Sequence, residues 1–130
     1  MAVMALRRAI AGAHTVVIAT PEYNASVPGV LKNAVDWASR PYPGNPLRGK
    51  PVLVIGASIT DFGVALAQAD LRRILKAIGA HVLEDELLVR QAHEAFSADG
   101  ELKDPQLRSK LASMVDTLVS VARDRKQQCA

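Results

Sequence analysis

The sequence predicts an α/β domain in which a parallel sheet carries helices on both faces. Short runs rich in β-branched residues, at 15–19 and 52–55, alternate with stretches of helical apolar spacing, a pattern typical of parallel sheets. Both runs are apolar throughout, as expected of strands that are covered on both faces. The 130 residues suffice for one small domain, and we expect a single domain over 1–130.

The elements of the first half follow from this alternation. Apolar spacing predicts a helix over 1–12, and the β-branched residues predict a buried strand over 16–18. A polar loop over 21–28 leads into a helix that runs from 28 to about 39, with a proline suited to its first turn. Four prolines make residues 40–51 a stiff loop.

In the second half, a buried strand over 52–55 ends at Gly56, and a loop over 57–64 precedes a helix to about Ile78 with Gly79 as its C-cap. A polar third strand over 81–83, resuming at 87–89, is predicted at an edge of the sheet. The last helix begins near Pro105, and Asp104 is a suitable N-cap. Its apolar stripe consists of Leu107, Leu111, Met114, Val115, Leu118 and Val121.

Composition excludes several classes of function. The net charge is +3 and the basic excess lies in residues 1–50, which favours an anionic ligand. The basic residues form no run and only five aromatic residues occur, so nucleic acid is not an expected partner. No apolar run approaches the roughly 20 residues that cross a bilayer, and we expect a cytoplasmic protein. The single cysteine, Cys129, is predicted to be an exposed tail thiol, and the three histidines lack the spacing of metal ligands.

Residues 20–24, Thr-Pro-Glu-Tyr-Asn, follow the first strand, at the end of the sheet where open α/β folds bind ligands. Together with residues 28–37, Pro-Gly-Val-Leu-Lys-Asn-Ala-Val-Asp-Trp, this loop resembles the NAD(P)H-dependent FMN reductases of flavodoxin-like fold, which include quinone, azo-dye and chromate reductases. The resemblance implies a three-layer α/β/α sandwich that binds FMN and uses NAD(P)H as electron donor. It also implies a small-molecule acceptor, such as a quinone or azo compound, and self-association to a dimer or tetramer.

The resemblance further implies that FMN contacts Pro21, Glu22, Tyr23, Asn24 and Ser58. The cofactor carries the chemistry in such enzymes, so no catalytic side chain and no metal ligand is predicted. The alternative for the loop is an ordinary strand-to-helix turn. Relatives continue after the serine as S-x-G-x-x-G-G, whereas this chain has Thr60 and Val64 at two of the glycine positions, which we expect to hinder close approach of a ring or nicotinamide.

In the helix over 28–39, Lys32 and Asp36 stand four residues apart, which predicts a surface ion pair or, by the resemblance, a subunit contact. Trp37 is predicted to be a packing residue, and Glu84 to Glu86 a solvated strand end.

Only three strands are found, and they correspond to the third, fourth and fifth of a flavodoxin-like sheet. The family's first strand, phosphate-binding loop, first helix and second strand are not found, so the chain is expected to be N-terminally truncated and its first strand to expose an unpaired edge. Three explanations stay open: a misassigned start codon, a short and obligately oligomeric paralogue, or a missing half supplied in trans. The alternative function is therefore a flavin-free truncated paralogue that serves as an oligomeric interaction module.

Overall fold

The computed structural model describes residues 1–128, and the predicted exposed thiol at Cys129 lies outside them. The elements are α1 Ala2–Gly12, β1 Val16–Ala19, α2 Gly29–Ala38, β2 Pro51–Ala57, α3 Ala65–Ala77, β3 His81–Val82, β4 Leu88–Val89, α4 Ala92–Ala95 and α5 Pro105–Gln128. Within the described residues, no helix combines the length and the apolar character needed to cross a bilayer.

The sheet is parallel and β2 lies at its centre. β1 pairs with β2 in a register that sets Val16 opposite Val52. On the other side, β3 pairs with the start of β2 and β4 with its end. The predicted third strand is confirmed as these two short strands at an edge of the sheet, separated by residues 83–87.

Alternate residues of β2 face two separate apolar cores. Val52 and Val54 are fully buried on the face that α1, α2 and α3 cover. Leu53 is fully buried on the opposite face, where Met114 and Leu118 of α5 pack against it. Burial of each such side chain stabilises the fold by about 1.5–3 kcal/mol. The three-layer α/β/α arrangement predicted from the sequence is confirmed.

The strand β1 is less covered than its sequence predicts. Val17 is aligned with Leu53 and therefore shares the face of α5, but its side chain is 48% exposed. α5 packs over β2, and among residues 1–128 β1 pairs with no strand other than β2. The prediction that β1 is buried on both faces is wrong at Val17. The unpaired edge of β1 agrees with what was expected from the sequence.

Two other local predictions differ from the structure, and one short helix was not predicted. β2 begins at Pro51 and continues through Gly56 to Ala57, because Gly56 and Ala57 pair with β4. α4 has four residues, too few for an apolar period to reveal it. Trp37 is 52% exposed rather than packed in the core.

The predicted N-cap of α5 is confirmed, since Asp104 Oδ1 accepts a hydrogen bond from the N–H of Gln106 at 2.8 Å. In the predicted stripe of α5, Met114 and Leu118 are buried but Val115 is exposed. The predicted ion pair between Lys32 and Asp36 is confirmed at 2.8 Å.

The acidic segment after β3 is more than a solvated strand end. Glu84 pairs with Lys76, and Glu86 lies 3.6 Å from Arg72. Both cations belong to α3, so these pairs join the interruption between β3 and β4 to the helix that precedes them.

Candidate functional site

The loops that follow β1 and β2 both start at the carboxyl edge of the sheet. Thr20 continues the pairing of β1, because its N–H donates to the carbonyl of Ile55 at 2.9 Å. The buried Thr20 hydroxyl donates to the carbonyl of Pro21 at 2.7 Å. The predicted site loop therefore leaves the sheet from a fixed position, with the side chain of Pro21 exposed.

Glu22 connects this loop to α3. Its carboxylate accepts a hydrogen bond from the backbone N–H of Ala67 at 2.9 Å. Ala67 lies in the first turn of α3, where backbone N–H groups have no partner inside the helix. A negative side chain is favourable there because the N-terminal end of a helix carries a partial positive charge. Glu22 thus caps α3 from outside, and its carboxylate is occupied by that helix.

Residues 23–26 form a tight reverse turn. Tyr23 and Ser26 exchange two backbone hydrogen bonds, of 2.9 and 3.1 Å. The two central residues, Asn24 and Ala25, have φ of 50° and 62°, the signature of a type I′ turn. Asn tolerates this region, but Ala pays a steric penalty in it. The turn therefore presents Tyr23 and Asn24 to solvent at some cost in backbone strain.

A second hydrogen bond holds the same turn to α3. The Ser26 hydroxyl donates to Asp70 Oδ2 at 2.7 Å. This bond, with a smaller contribution from nearby Arg73, holds the pKa of the Asp70 carboxyl below its ordinary value. Glu22 and Ser26 lie four residues apart, so the loop is bonded to α3 on both sides of the turn.

Gly56 lets the sheet, the loop and the start of α3 approach one another closely. A Cβ at this position would overlap the carbonyl oxygen of Thr20 and the Cγ2 atom of Val64. Val64 is fully buried and has φ of 60°, an unusual conformation for a β-branched residue. Its side chain therefore packs beneath the loop against Gly56, so the expectation that Val64 hinders a ligand is wrong for the side chain.

Ser58 lies at the start of the second loop. Its hydroxyl is 3.1 Å from that of Thr60, and its N–H donates to the carbonyl of Val89 in β4 at 3.0 Å. Its carbonyl accepts from the N–H of Ala92 at 2.8 Å. The backbone of Ser58 is thus fixed to the far side of the sheet from β1, and its partly exposed hydroxyl interacts with exposed Thr60.

Exposed apolar side chains stand in and beside the two loops, and only Tyr23 among them was predicted from the sequence to belong to the site. Tyr23 is 60% exposed and Phe62 is 75% exposed, and Ile59 and Leu66 are also exposed. Single exposed apolar residues are ordinary, but several at one edge of a sheet indicate a binding surface. We call Tyr23, Ile59, Phe62 and Leu66 the apolar rim. The signal for it was present, because three of the four stand in or beside a loop where polar residues are usual.

Two further residues of the site, Ser26 and Asp70, were also missed. A serine in a turn and an aspartate in an exposed helix turn carry no distinctive pattern, and only the folded chain brings them together. Within residues 1–128, no group of three His, Cys, Asp or Glu side chains is close enough to hold a metal ion.

Comparisons with known proteins bear on the fold and the family of the chain. A family profile described as NADPH-dependent FMN reductase matches residues 1–94. A protein of Pseudomonas aeruginosa named NAD(P)H-dependent FMN reductase is 44% identical over 118 residues, which are 90% of this chain and 63% of the relative. A 2-hydroxy-1,4-benzoquinone reductase of Burkholderia sp is 37% identical over 94% of this chain and 67% of the relative.

The solved structure of FerB, a flavoenzyme NAD(P)H:(acceptor) oxidoreductase of Paracoccus denitrificans, superimposes with a TM-score of 0.83. It is 41% identical and covers 94% of this chain and 68% of its own. The chain spans less than two thirds of the P. aeruginosa relative, but the family match covers most of residues 1–128 and includes both loops of the site. This chain therefore belongs to the NADPH-dependent FMN reductase family.

Proposed function

We propose that this chain binds FMN at the carboxyl edge of its sheet and, as a cytoplasmic single-domain protein, passes electrons from NAD(P)H to a quinone or similar acceptor. The observation that carries the proposal is the turn of residues 23–26, which two hydrogen bonds to α3 hold in a strained, exposed conformation. Strain maintained by surrounding structure is characteristic of functional loops. The names of the relatives support the class of acceptor.

The residues at this edge suit an isoalloxazine ring, which is flat and apolar on its faces and polar along its edges. The exposed rings of Tyr23 and Phe62 offer apolar contact, and aromatic pairs contribute about 0.5–1.5 kcal/mol beyond the burial of area. The amide of Asn24 and the hydroxyl of Ser58 supply polar groups beside the same loops. We propose Pro21, Glu22, Tyr23, Asn24 and Ser58 as the residues that form the FMN site.

These residues have different roles in the proposal. Bound FMN would accept a hydride from NAD(P)H and deliver electrons to the acceptor. Tyr23, Asn24 and Ser58 would bind and orient the ring, and the apolar rim would exclude water from one of its faces. Glu22 would act as a positioning residue, because its carboxylate bonds to Ala67 of α3.

The direct test is the visible absorbance of the purified chain after incubation with FMN and removal of the excess. Retained flavin absorbance, followed by NAD(P)H oxidation that depends on an added quinone, is the expected result. A chain that is folded by circular dichroism yet retains no flavin would overturn the proposal.

A matched pair of variants locates the site. Tyr23→Ala is expected to weaken FMN binding about fivefold to tenfold, since one aromatic contact is lost. Tyr42→Ala is the control, because Tyr42 is a similarly exposed tyrosine in the loop of residues 40–50. Equal losses in both variants would place the flavin elsewhere.

A second candidate function, a flavin-free interaction module, is favoured by the unpaired edge of β1. Val17 exposes an apolar side chain beside that edge, and an open strand edge is a template for pairing with another chain. Exposed Val30 and Trp37 on α2 give a further apolar surface for a dimer or tetramer. Sedimentation decides this point: association that Val17→Lys abolishes would support pairing through β1, and a monomer at every concentration would exclude it.

A further inference from the structure

A cavity of about 550 Å³ lies at the amino edge of the sheet, opposite the proposed FMN site. Its walls come from three segments: the end of α1, the loop of residues 45–51, and the last turns of α5. An adjoining cavity of about 330 Å³ shares His14, Ala122 and Lys126 with it. The two edges of the sheet are separated by the length of β2, about 20 Å for a strand of this size.

The lining of the cavity carries charge of a single sign. Arg48, Lys50, Arg125 and Lys126 all contribute to it, and the adjoining cavity adds Arg123. Among residues 1–128, no acidic side chain lines either cavity, and none of the five cations lies within 4.0 Å of a carboxylate. Elsewhere in this chain, exposed cations such as Lys32 and Lys76 do pair with carboxylates.

Part of this charge has an ordinary structural use. The Lys50 ammonium donates hydrogen bonds to the carbonyls of Ala11 and Ala13 at the end of α1, where a cation is favourable. Arg125 and Lys126 likewise lie in the last turn of α5. The helix ends alone do not explain Arg48, which belongs to neither helix and still lines the same cavity.

The guanidinium of Arg48 is fixed in place. Its Nε donates to the carbonyl of Pro43 at 2.6 Å, and its Cζ lies 5.6 Å from the centre of the Tyr42 ring. A Cβ at Gly79, which has φ of +93°, would be 3.2 Å from that Cζ. The head group is thus held by a carbonyl, a ring and a backbone at the margin of the cavity, because Pro43, Tyr42 and Gly79 are not among the lining residues.

The guanidinium of Arg125 lies against a second glycine. A Cβ at Gly49, which has φ of +70°, would be 3.0 Å from Arg125 Nη2. Arg125 is partly buried although it is charged and close to the end of α5. The Arg125 guanidinium thus lies against Gly49 in the wall of the cavity, and it accompanies the ammonium groups of Lys50 and Lys126 from the same lining.

We propose that this basic cavity binds a small molecule that carries a diphosphate group. Planar guanidinium groups bind phosphate oxygens in a bidentate manner, and the two lysines add point charges. Walls of low polarity concentrate the field of like charges inside a cleft, and this cavity has walls formed by Ala11, Ala13, Pro46, Pro51 and Ala122. Its volume is that of a site for one small ligand.

Calorimetric titration at low salt with pyrophosphate, ADP, AMP and inorganic phosphate tests the proposal. We expect pyrophosphate and ADP to bind about tenfold more tightly than AMP and inorganic phosphate, because a second phosphate offers the several cations of the lining further charged acceptor oxygens. Equal affinities for ADP and pyrophosphate would show recognition of the diphosphate alone, and tighter binding of ADP would show that the apolar walls hold its base. If neither pyrophosphate nor ADP binds, the proposal is overturned.

Variants separate the cavity from the general charge of the chain. Arg125→Gln and Lys126→Gln are each expected to weaken pyrophosphate binding about tenfold. Lys110→Gln is the matched control, since it removes the same charge from an exposed position of the same helix outside the cavity. An equal loss of pyrophosphate affinity in Lys110→Gln would overturn the proposal. Displacement of pyrophosphate by FMN in the wild-type chain would also overturn it, because the binding would then belong to the cofactor site.

Discussion

The carboxylate of Glu22 accepts a hydrogen bond from the backbone N–H of Ala67 at 2.9 Å, across a separation of 45 residues. A residue of the proposed cofactor loop therefore serves as the external cap of a helix. The capping interaction and the shape of the loop depend on each other, because Tyr23 follows Glu22 directly. Any change that frees this carboxylate alters both the start of α3 and the surface presented at the sheet edge.

Glu22→Ala is expected to lower the free energy of unfolding by about 1–2 kcal/mol, because an N–H at the start of α3 loses its acceptor and a favourable charge. Glu22→Gln is expected to lose about half as much, since the amide oxygen still accepts. Urea unfolding measures both. Glu101→Ala is the control, because it changes an exposed glutamate whose carboxylate has no such partner among residues 1–128. Equal urea midpoints for Glu101→Ala and Glu22→Ala would contradict the capping role.

The bond between Ser26 and Asp70 predicts a dependence on pH. Because it depresses the pKa of the folded-state carboxyl below 3.8, its stabilisation is fully present above about pH 4 and is lost as the pH falls through the depressed value. In Ser26→Ala, the pKa of Asp70 should rise toward its ordinary value. NMR titration of the carboxyl carbon measures this shift, with Ser113→Ala on α5 as control, and an unchanged pKa in Ser26→Ala would show that another group causes the depression.

Gly56→Ala is expected to destabilise the fold by about 1–3 kcal/mol, the usual cost of added volume in a packed region. The new methyl group would overlap the Thr20 carbonyl and the Val64 side chain, and backbone cannot yield as a flexible side chain does. Gly12→Ala is the control, because nothing lies within 4 Å of a Cβ there. Thermal unfolding of the two variants should differ clearly, and similar melting temperatures would mean that the loop adjusts freely.

Ala25→Gly is expected to stabilise the chain slightly, by up to about 1 kcal/mol. Glycine removes the penalty of about 1–2 kcal/mol for φ of 62°, which exceeds the entropy that glycine adds to the unfolded chain. The same substitution at Ala112, an exposed position within α5, should destabilise by about 1 kcal/mol. Opposite signs in denaturant unfolding are the expected outcome, and a loss of stability at both positions would show that the turn carries no strain.

The features that were predictable from the sequence are local ones. The strand positions, the site loop and the Asp104 cap each depend on residues within a few positions of one another, so their patterns are visible in the chain itself. The motif at residues 20–24 also follows a strand that the sequence located, so the edge of the sheet at which this loop starts was predictable. Helix ends were predicted to within one or two residues at Gly12 and Ala38.

The features that were missed depend on residues brought together by the fold. The partners of Glu22 and Ser26 lie 45 and 44 positions away, and no local pattern connects them. Val17 looks like a core residue because the sequence of β1 does not reveal that its neighbours cover only one of its faces. The conformation of Val64 was equally unforeseeable, since β-branched residues disfavour positive φ and only its packing against Gly56 maintains it.

The close approach at Gly56 also bears on how proteins of this shape can diversify. A strand, a loop and the start of a helix converge at Gly56, and only glycine fits there without overlap. Substitution at this position is therefore not a route to a new specificity. The exposed residues around it, such as Phe62 and Ile59, make few contacts that stability requires. The rim can therefore be exchanged while the junction at Gly56 is kept, and directed evolution of this chain would begin with the rim positions.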